Sequence, residues 1–212
     1  MSTRPWYRRP GFTNLPMLIT LGRCAAVPVM VAILWETPGP LRAIVAMFIF
    51  VTAMVGDVVD GWLARKWDVQ SVAGAFLDPI ADKLMVLATL VMLIPLGWVP
   101  AWIVLVLEGR ELLIGALRQI AVSEGLVIAA GSLGKFKTAY QSTAIGFLLF
   151  HYQGLNVDFR PFGLDMQWPG IDAHTVGIVL LWQSMVLSVA SAFTYSRDFY
   201  KHHQSRKQAT EP

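Results

Sequence analysis

Four aspartates stand at two helical spacings: Asp57 and Asp60 are three apart, and Asp78 and Asp82 are four apart. Residues three or four apart share one face of a helix, so each pair would present two carboxylates side by side. The full pattern is D-x-x-D-G-x-x-A-R, eight residues, then G-x-x-x-D-x-x-x-D, with Gly61, Ala64, Arg65 and Gly74 in the other fixed places. Four anions brought together in a partly dry site repel one another, and hard divalent cations relieve that repulsion. Oxygen ligands suit Mg²⁺ or Mn²⁺. Thiolates and imidazoles are not at hand: Cys24 is the single cysteine, and the histidines are His151, His174, His202 and His203. Two such ions per active site would suit an in-line displacement at phosphorus, clamping the attacking and leaving oxygens. Gly61 and Gly74 let backbone approach a bulky ligand or a facing helix. Arg65, two turns beyond Asp57, can pair with a phosphate. The competing reading is a solvated helix end where Arg65, Lys66 and Lys83 merely neutralise the acids; four acids at these spacings weigh against it.

A second group of ionisable residues falls in otherwise apolar sequence. Glu108, Arg110, Glu111 and Arg118 share one apolar run, and Lys135 and Lys137 lie within Gly134-Lys-Phe-Lys-Thr138. Ionisable residues at membrane depth usually face an interior cavity and mark a functional path. Arg110, Arg118, Lys135 and Lys137 together suit a phosphate monoester. The bland alternative is an internal Arg110–Glu111 pair that only fixes packing, with snorkelling lysines. Thr20 and Arg23 stand out in the first apolar run, either as site residues or as a backbone-bonded hydroxyl and a snorkelling arginine.

The elements that must position these residues are membrane helices. The chain has 212 residues, 55% hydrophobic and only 15% charged, with a mean hydropathy of +0.54. A soluble domain carries about 25% charged residues. Six apolar stretches approach the ~20 residues that a span requires: 15–35, 41–59, 84–99, 101–120, 137–152 and 175–195. The first contains Arg23 and lacks a small-residue cleavage site, so it reads as a retained span. Pro79 suits the start of a helix, which places Asp78 near the inner end of the third span. Lys135 falls in the turn after the fourth. The predicted class is all-α, about six transmembrane helices.

Arg4, Arg8, Arg9, Arg65, Lys66, Lys135, Arg197, Lys201, Arg206 and Lys207 fall on one side of such a layout, against Arg42 and Arg160 on the other. The positive-inside rule makes the first side, with both termini, cytoplasmic. Residues 1–14 form a basic-aromatic interfacial segment, 15–197 the membrane domain, and 198–212 a polar tail. The segment 153–173 is an outer loop with Trp168 at the interface. Nucleic acid is excluded as a partner, since no aromatic-interleaved basic patch lies outside the tails.

The aspartate pattern resembles the signature of the CDP-alcohol phosphatidyltransferase family, with every position filled. In that family a CDP-linked lipid donates a phosphatidyl group to an alcohol and CMP leaves. The resemblance implies that Asp57, Asp60 and Asp78 bind metal and that Asp82 is a further ligand and the general base. It implies that Gly61, Ala64, Arg65 and Ser71, with Gly74 and the acids Asp57, Asp60 and Asp78, hold the donor, CDP-diacylglycerol. Arg110-Glu-Leu, Gly134-Lys-Phe-Lys-Thr138 and Leu77-Asp-Pro-Ile-Ala-Asp-Lys83 are similar to the branch whose acceptor is glycerol 3-phosphate. On that branch the fourth and fifth helices add a basic pocket beside the metals. The resemblance also implies a homodimer in the inner membrane, embedded in membrane lipid, with its active site facing the cytoplasm. Rival readings keep the chemistry but use phosphatidylglycerol, inositol phosphate or serine. From other classes come a carboxylate-lined cation transporter, disfavoured by acids at one edge and no repeat, and an inactive scaffold.

Overall fold

Buried positions recur along the helices at alternating steps of three and four, the period at which a helix keeps one stripe against its neighbours. In the computed structural model the backbone is described for residues 15–67, 72–123, 133–151, 154–155 and 171–210. Side chains are described for 20–56, 80–123, 136–151 and 172–200. Six helices follow in order: α1 (Leu15–Leu34), α2 (Pro40–Trp67), α3 (Val72–Leu93), α4 (Ala101–Ser123), α5 (Leu133–Leu149) and α6 (Ala173–Thr210). Gly154–Leu155 (β1) and Ile171–Asp172 (β2) pair antiparallel, Gly154 opposite Asp172, within the predicted outer loop. The basic N-terminal segment, Arg160, Trp168 and Ser71 lie outside the described residues.

The chain divides into two units. The first comprises residues 1–98 and 149–173, the second 99–148 and 174–212. In the first, α1 packs against both α2 and α3, which also touch each other. The α1 stripe is Thr20, Arg23, Val27, Met30 and Leu34; α2 contributes Ala43, Ala46 and Phe50, and α3 Ala81, Met85, Thr89 and Leu93. Thr89 donates its hydroxyl to its own helix, at the Met85 carbonyl (2.8 Å).

Several predicted helix ends move. The third element begins at Val72, not near residue 84, so Pro79 lies inside α3 and not at its start. Proline there removes the bond to the Ala75 carbonyl and crowds that carbonyl, yet the helix runs on through it; hydropathy says nothing about where backbone hydrogen bonds begin. The same helix stops at Leu93, short of residue 99. Pro95 cannot donate to Val91, and Gly97 adopts φ of +72°. Trp98 N–H then reaches the Leu93 carbonyl at 3.1 Å and Gly97 N–H the Ile94 carbonyl at 2.9 Å. This is a Schellman stop, which needs the left-handed glycine. Buried Trp98 closes it and stacks on His151, centroids 4.3 Å apart. At the other end of the chain α6 continues through Thr210, so the polar stretch after residue 197 extends the helix.

In the second unit the stripe on α4 is Ile103, Leu107, Ile114 and Ala121, and on α5 it is Lys137, Gln141, Ala144 and Leu148. On α6, buried Gly177 leads to Leu181, Ser184, Ser188 and Tyr195. A Cβ at Gly177 would lie 2.7 Å from Leu148 Cγ and 3.0 Å from the Leu148 backbone nitrogen. Backbone cannot step aside as a side chain can. Gly177→Ala should therefore destabilise the protein by ~1–3 kcal/mol, the usual cost of overpacking. Thermal unfolding in detergent measures it; an unchanged midpoint would show that α5 and α6 separate freely.

Candidate active site

The acidic motif lies on two continuous helices of the first unit. Asp57 and Asp60 fall on α2 with Gly61, Ala64 and Arg65, and Gly74, Asp78 and Asp82 fall on α3. Only a four-residue link, 68–71, joins the two helices. Helical backbone at these positions puts Asp57 and Asp60 one turn apart, and likewise Asp78 and Asp82. Of the four, Asp82 has a described side chain, half-buried beside fully buried Ala81. The side chains of Asp57, Asp60, Gly61, Ala64, Arg65, Gly74 and Asp78 lie outside the described residues. Among the described residues no group of three or more potential metal ligands forms. The donor set itself is carboxylate only, which fits a hard divalent ion.

Thr20 and Arg23 are 2% and 3% exposed, which ends the reading of Arg23 as a snorkelling side chain. Arg23 lines a cavity of about 380 Å³ between α1 and α2, with Gly22, Ala26, Phe48, Ile49, Thr52, Ala53 and Gly56. Gly56 immediately precedes Asp57. The buried arginine and the start of the first acid pair therefore lie at one level of this unit.

In the second unit α4, α5 and α6 meet around a polar cluster. Arg110 Nη1 donates to Glu111 Oε1 at 2.6 Å, Nε to the Ser188 carbonyl at 2.9 Å, and Nη2 to Ser191 Oγ at 3.0 Å. Lys137 Nζ donates to the same Glu111 oxygen. Lys137 is buried, and Ser184 Oγ donates to its carbonyl at 3.1 Å. Of the four predicted phosphate-binding cations, two thus converge on one carboxylate oxygen. Arg118 is exposed on α4, its guanidinium carbon 6.0 Å from the Tyr195 ring centroid.

Lys135 departs from the sequence expectation. It sits in the first turn of α5 and not in a connecting turn. Two residues apart on a helix means about 200° around its axis, so Lys135 and Lys137 do not share a face.

Two residues of this cluster escaped sequence reasoning. The hydroxyls of Ser188 and Tyr195 are buried and, among the described residues, have no hydrogen-bond partner. Ser184, Ser188 and Ser191 at successive turns of α6, followed by Tyr195, form a polar stripe. That stripe was the available signal. A buried hydroxyl without a partner costs free energy.

Comparison with known proteins adds a family. Residues 13–193 match the family model for CDP-alcohol phosphatidyltransferase. The chain is 35% identical over 193 residues to the CDP-diacylglycerol–glycerol-3-phosphate 3-phosphatidyltransferase of Bacillus subtilis strain 168, covering 86% of this chain and 93% of that protein. It is 38% identical over 189 residues to the protein of the same name from Haemophilus influenzae, covering 86% and 91%. It is 37% identical over 207 residues to a cardiolipin synthase (CMP-forming) from Oryza sativa subsp. japonica, covering 91% of this chain and 59% of that protein.

Proposed function

The chain belongs to the CDP-alcohol phosphatidyltransferase family, and on that premise we propose that it transfers the phosphatidyl group of CDP-diacylglycerol to glycerol 3-phosphate, releasing CMP. The observation that carries the acceptor is the convergence of Arg110 and Lys137 on a single anionic oxygen. Two cations fixed at one point are more than a neutral alcohol needs, and they suit a phosphate monoester.

Residues 15–197 act as a membrane domain in this reading. Leu105, Leu112 and Leu113 are 73%, 75% and 68% exposed, so α4 turns bulky apolar side chains outward as well as inward. Such helices need an apolar solvent. Ala173–Tyr200 of α6 is long and apolar enough to cross a membrane, and Thr20–Leu34 and Pro40–Gly56 are shorter apolar segments. Six spans, both termini and the acidic motif on the cytoplasmic side of the inner membrane, and a homodimer complete the proposal. The active site then meets a water-soluble acceptor at the face where the lipid donor is embedded.

Asp57, Asp60 and Asp78, with Asp82, would hold two Mg²⁺ or Mn²⁺ ions, which neutralise the donor diphosphate when bound. Gly61, Ala64, Arg65, Ser71 and Gly74 would hold the donor's cytidine diphosphate part. Asp82 takes the proton of the acceptor hydroxyl. The freed oxygen bonds to the β-phosphorus while the bond from that phosphorus to the CMP oxygen breaks. Arg110, Arg118 and Lys137 hold the acceptor phosphate; Lys135 contributes its charge from another face of α5.

The test is purified protein with CDP-diacylglycerol and a panel of acceptors, followed by CMP release. Glycerol 3-phosphate should give the highest kcat/KM. Arg118→Ala should raise its KM by ~10–100-fold, the worth of one charged donor, and leave donor KM nearly unchanged. A second reading, with phosphatidylglycerol as acceptor, is favoured by the similarity to the rice protein. Faster CMP release with phosphatidylglycerol would establish it in place of the first.

A further inference from the structure

We propose that Glu111 is a resident stand-in for the acceptor phosphate: its carboxylate fills the anion position between Arg110 and Lys137 and yields it when the acceptor arrives. The inference deepens the proposed function and rests on it. Three observations carry it. Both cations donate to the same oxygen, Glu111 Oε1, which makes that point the focus of the cluster. Arg110 is held independently of Glu111, and the backbone that carries Lys137 is fixed. Arg110 keeps its bonds to the Ser188 carbonyl and Ser191 Oγ, and buried Lys137 has its backbone tied to α6 through Ser184. The Arg110 guanidinium would therefore stay in place if the carboxylate left, and the Lys137 ammonium would remain tethered within reach of the vacated position. Lastly, Glu111 is the member best able to leave: its side chain is 26% exposed, against 13% for Arg110 and 6% for Lys137.

A stand-in of this kind is also a filter. Its single negative charge sets what an incoming anion must exceed. A phosphate monoester carries about 1.5 to 2 negative charges near neutral pH and can displace it. A phosphodiester, with one charge, gains little by the exchange. Glu111 thereby sets a threshold that a monoester clears more readily than a phospholipid does, at the same cost to either, and it keeps two cations neutralised until then. A purely structural Glu111 would behave oppositely: removing it would loosen Arg110 and weaken acceptor binding.

Glu111→Gln separates the two. It keeps the size of the side chain and removes the competing charge. The expected result is a fall in KM for glycerol 3-phosphate of roughly 3–10-fold, the span of one partly solvated charged contact, with donor KM unchanged. The KM for phosphatidylglycerol should fall by a similar factor, because either acceptor displaces the same carboxylate. Inorganic phosphate should raise the melting temperature of the variant in detergent more than that of the unsubstituted protein. If Glu111→Gln does not fold, Glu111→Asp, which retracts the carboxylate by one methylene, should shift KM the same way. An unchanged or raised KM overturns the proposal, as does equal stabilisation of both proteins by phosphate. If the unsubstituted enzyme does not use glycerol 3-phosphate, the acceptor reading fails, and the phosphate melting comparison still decides the role of Glu111.

Discussion

Asp57→Asn and Asp78→Asn should each reduce turnover by about 10³-fold or more while the protein remains folded in detergent. Metal ions at a phosphoryl centre supply several kcal/mol of charge stabilisation, and each ~1.4 kcal/mol is tenfold in rate. Losing one carboxylate from either helical pair removes a ligand that the remaining three cannot replace, because its helical partner is fixed one turn away. Exhaustive chelation of the unsubstituted enzyme should give the same loss, and added Mg²⁺ or Mn²⁺ should restore activity. Retained CMP release in a thoroughly chelated preparation would dispose of the two-metal reading. A variant that binds metal with unchanged affinity would dispose of that ligand.

Asp82→Asn should lower kcat by ~10²–10⁴-fold, the range for losing a general base, with donor KM little altered. Asp82 lies one turn further into α3 than Asp78, half-buried, beside the packed Ala81. A base there is screened from bulk water. A variant that bound CDP-lipid poorly and turned over normally at saturation would make Asp82 a ligand only.

The acid pairs were legible because the helical period alone fixes which residues share a face, whatever surrounds them. The helix ends were not. Hydropathy reports where a helix leaves an apolar medium, whereas α2 runs on to Trp67 and α3 starts at Val72, both through charged sequence. The misplacement of Lys135 follows from this: treating residues before 137 as a turn allowed two lysines to face one way. Glu111 was read only as a packing partner, because sequence cannot show that Lys137 reaches the same oxygen from another helix. Ser188 and Tyr195 were overlooked because serine and tyrosine carry no charge to draw the eye in an apolar run.

The meeting of three helices at one guanidinium also bears on how the second unit can move. Arg110 on α4 is bonded to a backbone carbonyl and a hydroxyl of α6, and shares Glu111 with Lys137 of α5. A slide of α4 by a full turn, about 5.4 Å, would break all of these contacts together, a slide of α6 would break both Arg110 bonds, and a slide of α5 would break the Lys137–Glu111 pair. The cluster therefore acts as a register pin: α4, α5 and α6 can tilt about this level, but none can ratchet past the others along its axis.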